Sequence, residues 1–118
     1  MINDRTKALK DILDELKIPN EVGLYTPQPA PALFCVVVPT SDTFSYTEDV
    51  PEAMISEATV ELYSKTNYLS TAHDIMKAIA ESDTLTLSGG EFIEKESDTG
   101  YYHYAISVQT TQQWEEDE

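Results

Sequence analysis

A chain of 118 residues, 41% hydrophobic and 25% charged, has the size and composition of one globular domain with its own apolar core. Its net charge of −15 argues against nucleic-acid binding through phosphate contacts, because the seven lysines and arginines form no cluster along the sequence. No apolar run reaches the roughly eighteen residues of a membrane span. No signal-peptide pattern opens the chain, so we expect a cytoplasmic protein that does not bind membranes.

Two segments have the periodicity of amphipathic helices. The first follows Asn3 or Asp4, either of which can cap it, and is predicted to end near Lys17. The second is predicted over residues 71–81, with Ser70 as its cap. Apolar residues recur at helical spacing in both segments: Leu9, Ile12, Leu13 and Leu16 in the first, and Ala72, Ile75, Met76, Ile79 and Ala80 in the second. Each helix is therefore expected to pack one face against a sheet.

Four further stretches have the character of strands: residues 33–38, 55–65, 83–87 with 91–95, and 101–110. Pro39 is expected to end the first of them, and Gly89-Gly90 to introduce a turn or bulge into the third. The order of helices and strands favours an α+β fold, an antiparallel or mixed β-sheet with two α-helices packed on one face.

The chain is predicted to be a single domain over residues 1–111, followed by an acidic, flexible C-terminal segment over residues 112–118. Residues 40–51 are polar and are expected to form a long loop. Phe44 and Tyr46 lie within it, and two interpretations stay open: they anchor a protein interface, or they fold back onto the core.

Residues that could carry catalysis are sparse. His73 and His103 are the two histidines, and neither belongs to a metal-binding spacing such as His-Glu-x-x-His. Cys35 lies in an apolar run, as a buried core thiol does, and Gly89-Gly90 is not a phosphate-binding loop. We therefore expect no catalytic, metal or cofactor site, and a protein that is not an enzyme.

Several short motifs lie between Phe44 and Val108, a little over half the chain. They are Phe44-Ser45-Tyr46-Thr47-Glu48-Asp49, Val60-Glu61-Leu62-Tyr63-Ser64-Lys65, Asp74-Ile75-Met76-Lys77-Ala78-Ile79 and Asp98-Thr99-Gly100-Tyr101-Tyr102-His103. Their layout resembles the tail-completion (tail-to-head joining) and tail-terminator proteins of siphophages.

The resemblance implies a structural virion or prophage protein without a cofactor. Such a protein completes the tail at its head-proximal end and forms a ring, possibly a hexamer, around the DNA channel. Its partners would be its own copies, the head connector and the tail tube, and it would occupy the host cytoplasm during assembly. The residues proposed for its interfaces are Phe44, Tyr46, Glu48, Asp49, Tyr101, His103, Glu115 and Glu116.

The charge alone supports a second hypothesis. An acidic inhibitor that mimics DNA could occupy the basic groove of a nucleic-acid-binding protein. Carboxylates spaced along one strand, such as those of Glu57 and Glu61, would then imitate phosphates.

Overall fold

The computed structural model describes residues 5–114, which form two α-helices and five β-strands. In chain order these are α1 (Arg5–Glu15), β1 (Asn20–Val22), β2 (Leu33–Thr47), β3 (Val50–Ser64), α2 (Tyr68–Ala80), β4 (Thr86–Lys95) and β5 (Tyr102–Gln113). One sheet contains all five strands in the order β1-β2-β3-β5-β4. β1 pairs with β2 in parallel, and the other neighbours are antiparallel. The predicted α+β class with a mixed sheet is confirmed.

The main core lies between the two helices and one face of the sheet. It contains apolar side chains from both helices and from alternating positions of β2, β3 and β5, among them Leu9, Leu13, Ile75, Ile79, Cys35, Val37, Val60, Leu62, Ile106 and Val108. Alternation places successive strand residues on opposite faces, so these positions point to a single side of the sheet. Both helices therefore pack on the same face, as the fold prediction stated.

The helices differ from their predicted boundaries by a few residues. α1 ends at Glu15, because Lys17 adopts a left-handed conformation with φ of 63°. The amide of Ile18 then donates to the carbonyl of Leu13 at 2.9 Å, which closes the helix end. α2 begins at Tyr68 and is capped by Asn67, whose side chain accepts a hydrogen bond from the Ser70 amide.

The predicted loop over residues 40–51 is wrong: these residues form a β-hairpin. β2 and β3 stay paired from the core out to Thr47 and Val50, and a two-residue turn joins them. Glu48 and Asp49 have φ of 51° and 69°, the positive values that suit a tight hairpin turn to the twist of its strands. Polar side chains dominate this hairpin because both of its faces lie largely outside the core, so the alternation that marks a strand is absent from its sequence.

Pro39 does not end β2. It pairs with Ala58, and the register shifts between Pro39 and Ser41. β1 contacts β2 only opposite Cys35, Val36 and Val37, so β2 is an edge strand at Pro39 and the missing N–H of the proline is not needed there.

The three-residue strand β1 itself was not predicted. Residues 86–95 are one strand with register shifts rather than two strands divided by a turn.

β5 continues beyond its predicted end at residue 110. It pairs as far as Gln113, and the Trp114 amide donates to the Glu52 carbonyl at 2.9 Å. Residues 112–114 are therefore attached to β3, whereas the acidic residues 115–118 lie outside the described part of the chain. The length of β5 was underestimated because its last residues are polar and do not contribute to the core.

Candidate functional site

The face of the sheet opposite the helices, called the open face below, carries a row of aromatic rings. Phe34, Tyr63 and His103 are neighbours across β2, β3 and β5. Phe34 and Tyr63 stack with ring centroids 4.9 Å apart, and Tyr63 stacks on His103 at 4.3 Å. Tyr25, from the segment between β1 and β2, lies 4.4 Å from Phe34 and extends the row to four rings. Cross-strand stacking of this kind stabilises the sheet and leaves ring surface available at the row's edges.

Tyr101 has a structural position in the same aromatic cluster. Only 8% of its surface is exposed, and it meets Phe34 and Tyr63 edge-on at 5.4 and 6.2 Å. Its hydroxyl donates to the Pro31 carbonyl at 2.6 Å. Tyr101 therefore joins the start of β5 to the proline-rich segment before β2. Lys65 borders the cluster, with its ammonium 4.8 Å from the Tyr101 ring.

His103 is held in a defined orientation. Its Nε2 lies 2.5 Å from Glu61 Oε1, and both side chains are mostly shielded, at 15% and 20% exposure. With the ring stacked on Tyr63, two independent contacts fix the imidazole. The sequence pointed to His103 but gave no sign of its partner, because Glu61 belongs to a strand 42 residues earlier in the chain.

The open face is strongly acidic. The strand register places the side chains of Glu57, Glu61, Glu91 and Glu94 on it. Burial raises the pKa of Tyr63, and the nearby charges of Glu61, Glu96 and Glu94 raise it further, in that order. A shallow cavity of about 250 Å³ lies beside Tyr25 and Tyr63, with Glu61 in its lining. Aromatic faces beside a carboxylate suit a cationic side chain.

The outer part of the β2–β3 hairpin, residues 41–55, is called the arm below. Phe44, Tyr46 and Val50 are 39%, 62% and 54% exposed on it, and within the described chain the main core includes no residue between 39 and 57. Trp114 meets Phe44 edge-on at 5.1 Å. Phe44 and Tyr46 therefore do not fold back onto the main core, which was one of the two interpretations of these residues.

Three side chains fix the base of the arm to α1. Arg5 forms an ion pair with Asp42, Nη1 to Oδ1 at 3.3 Å, and its Nε donates to the Glu57 carbonyl at 2.8 Å. Ser56 Oγ donates to the same Asp42 oxygen at 2.6 Å. The arm is therefore anchored at its base, while its aromatic side chains stay exposed. Sequence reasoning did not identify this anchor, which joins residues distant in the chain.

The six predicted interface residues that lie within the described chain divide into two groups. Phe44 and Tyr46 lie on the arm, and Glu48 and Asp49 form its exposed turn. Tyr101 and His103 belong to the aromatic cluster at the opposite end of β3. Glu115 and Glu116 lie outside the described residues. Trp114 is the one aromatic residue in a polar stretch of sequence, and this local contrast could have indicated that its ring packs against another side chain, here Phe44.

Two features bear on chemistry. Cys35 is fully buried, which raises the pKa of its thiol to about 12 and keeps it protonated at neutral pH.

The sheet also brings Glu94, Glu96 and His103 together, with one potential metal-ligand atom from each lying within 4.8 Å of the others. Sequence spacing had predicted no metal site, because two of these residues precede His103 on a different strand or turn.

No helix among residues 5–114 has the length and apolar character needed to cross a membrane. The chain matches no protein-family model and none of the curated proteins with which it was compared.

Proposed function

We propose that this chain is a structural protein of a phage virion or prophage that completes the tail at its head-proximal end. It joins the tail to the head connector as a ring of identical subunits around the DNA channel. The arm is the observation that carries this proposal: an anchored hairpin exposes Phe44, Tyr46 and Val50 beyond the helix-covered core. Apolar side chains presented in this way are typical of a surface that another protein buries.

Shape and charge support the same function. The molecule is elongated, with extents of 51 × 26 × 24 Å, so an arm can reach a neighbouring subunit or the connector. The acidic open face and the net charge of −15 repel DNA electrostatically. A subunit lining a channel with such a face lets DNA pass without binding it. Two of the motifs that resemble tail-completion proteins lie in these parts of the molecule. One is on the arm, and the other leads into β5 beside the open face.

The decisive experiment removes the gene from a phage or inducible prophage and supplies it in trans. Without the protein, we expect filled heads and complete tails to accumulate unjoined, as seen by electron microscopy, and the wild-type gene to restore joining. Tyr46→Ser should fail to restore it. Leu69→Ser is the matched control, because Leu69 is equally exposed, at 60% against 62%, but lies on α2. Normal joining without the protein would exclude the proposal.

A second candidate, an inhibitor that mimics DNA, is favoured by one observation. Glu57, Glu61, Glu91 and Glu94 share the open face, so their carboxylates form an array rather than scattered charges. Such an inhibitor should bind a nuclease or repressor tightly and lose that binding as salt rises. Replacing Glu57 and Glu91 with glutamine should weaken that complex, whereas arm variants should not affect it.

A further inference from the structure

The group formed by Glu94, Glu96 and His103 lies beside the turn that connects β4 to β5. A register shift between Phe92 and Glu94 places Glu94 directly opposite His103 on the open face. Beyond the strand, the Glu96 amide donates to the Tyr101 carbonyl at 2.8 Å, so Glu96 closes the turn beside the same histidine. The bulge and the turn together direct two carboxylates and one imidazole to one place, although 7 to 9 residues separate them in sequence.

The contact with Glu61 engages one ring nitrogen of His103 and leaves the other for a ligand. When Nε2–H donates to Glu61, the other ring nitrogen, Nδ1, keeps its lone pair, and no residue from 5 to 114 forms a hydrogen bond with it. Histidines that bind metals usually donate their second N–H to a carboxylate in this way, which fixes the tautomer and strengthens the ligand. The stack on Tyr63 at 4.3 Å restricts the remaining rotation.

The carboxylates near His103, those of Glu61, Glu94 and Glu96, have no direct ion pair with a lysine or arginine of the described chain. A bound cation would neutralise carboxylates that now repel one another.

We propose that Glu94, Glu96 and His103 form a binding site for a divalent transition-metal ion, with Zn²⁺ as its best probe. Nδ1 of His103 is the nitrogen ligand, the two glutamates supply oxygen ligands, and Glu61 positions the imidazole. Mixed nitrogen and oxygen donors favour zinc over magnesium or calcium, which prefer oxygen alone. Ligands of a tetrahedral zinc ion lie about 3.4 Å apart. The three ligand atoms lie within 4.8 Å of one another, so they must approach by up to about 1.4 Å, a movement available to the exposed Glu94.

Isothermal titration of the full chain with ZnCl₂ tests the site. We expect saturable binding of one Zn²⁺ per chain, weakened at least tenfold by His103→Gln or by Glu94→Gln, and by roughly 10–100-fold by Glu61→Gln. Excess MgCl₂ should not displace the zinc. Glu91→Gln is the matched control, because Glu91 is an exposed glutamate of the same strand and face and should change the affinity less than twofold.

Nuclear magnetic resonance of the histidine nitrogens separates ligation from a structural effect. The chain has two histidines, and His73 is exposed on α2. Zinc should shift the Nδ1 resonance of His103 and leave both nitrogens of His73 unchanged, and a circular dichroism spectrum should show that each variant is folded. Non-saturable binding, equal losses from Glu91→Gln and Glu94→Gln, or no shift at His103 would each overturn the proposal. None of these outcomes depends on the role of the protein in a virion.

Discussion

Gly89 and Gly90 are adjacent in β4, yet alanine should have opposite effects at the two positions. A Cβ added to Gly89 meets no atom within 4 Å. A Cβ added to Gly90 would lie 2.5 Å from the Tyr104 hydroxyl oxygen and 2.9 and 3.0 Å from two carbons of its ring. These separations are shorter than van der Waals contact, so Tyr104 must move. The Tyr68 ring, 5.8 Å from that of Tyr104, restricts where it can go.

The expected magnitudes follow from these distances. Replacing glycine with alanine in an ordinary strand conformation stabilises the fold by about 0.4–1 kcal/mol, because the unfolded chain loses freedom. That gain should be visible with Gly89→Ala. At Gly90 the same gain is opposed by overpacking, which costs about 1–3 kcal/mol. We therefore expect the free energies of unfolding of the two variants to differ by about 1–3 kcal/mol. Their melting temperatures should differ by roughly 4–12 °C.

Urea denaturation followed by circular dichroism measures this difference, since both variants should keep the same slope. The double variant Gly90→Ala/Tyr104→Phe adds a control, because it removes the nearest atom and should recover part of the loss. If Gly89→Ala and Gly90→Ala are equally stable within about 0.5 kcal/mol, the packing of Tyr104 over Gly90 is not as described.

Three further predictions concern the core and the arm. The Cys35 thiol should resist alkylation at pH 8 until the protein unfolds. Because the pKa of this thiol is raised from 9.0 to about 12, its contribution to the free energy of unfolding should be fully present below pH 9. That contribution should fall by about 1 kcal/mol by pH 10. Asp42→Ala should lower the free energy of unfolding by about 1 kcal/mol, since it removes the partly exposed ion pair with Arg5. Phe44→Leu should shift the fluorescence of Trp114, the only tryptophan, to longer wavelength by exposing its ring.

Each of these predictions has a direct check. Cys35→Ala should lose about 1 kcal/mol less stability than wild type between pH 9 and 10, because the unfolded variant has no thiol to ionise. Asp11→Ala, which removes an exposed helical ion pair with Lys7, should cost less than Asp42→Ala; equal costs would contradict the anchoring role of Asp42. An emission spectrum of Trp114 unchanged by Phe44→Leu would show that the two rings do not pack.

The amphipathic elements were predictable because burial leaves a periodic record in sequence. Leu9 and Leu13 marked the inner face of α1, and Ala58, Val60 and Leu62 marked that of β3. The arm could not be predicted in the same way. Its strands lie largely outside the helix-covered core, so backbone pairing and the anchor at Asp42 hold much of it in place, and neither leaves a periodic pattern.

The candidate sites show the same division. The sequence alone determined the fold class, the acidity and the buried Cys35, because composition and local spacing are sufficient for these. The tertiary structure decided that Tyr101 is buried, that Glu61 holds His103, and that Glu94 and Glu96 join them. These contacts connect different strands through a bulge and a turn, and strand register is fixed only when the whole sheet forms.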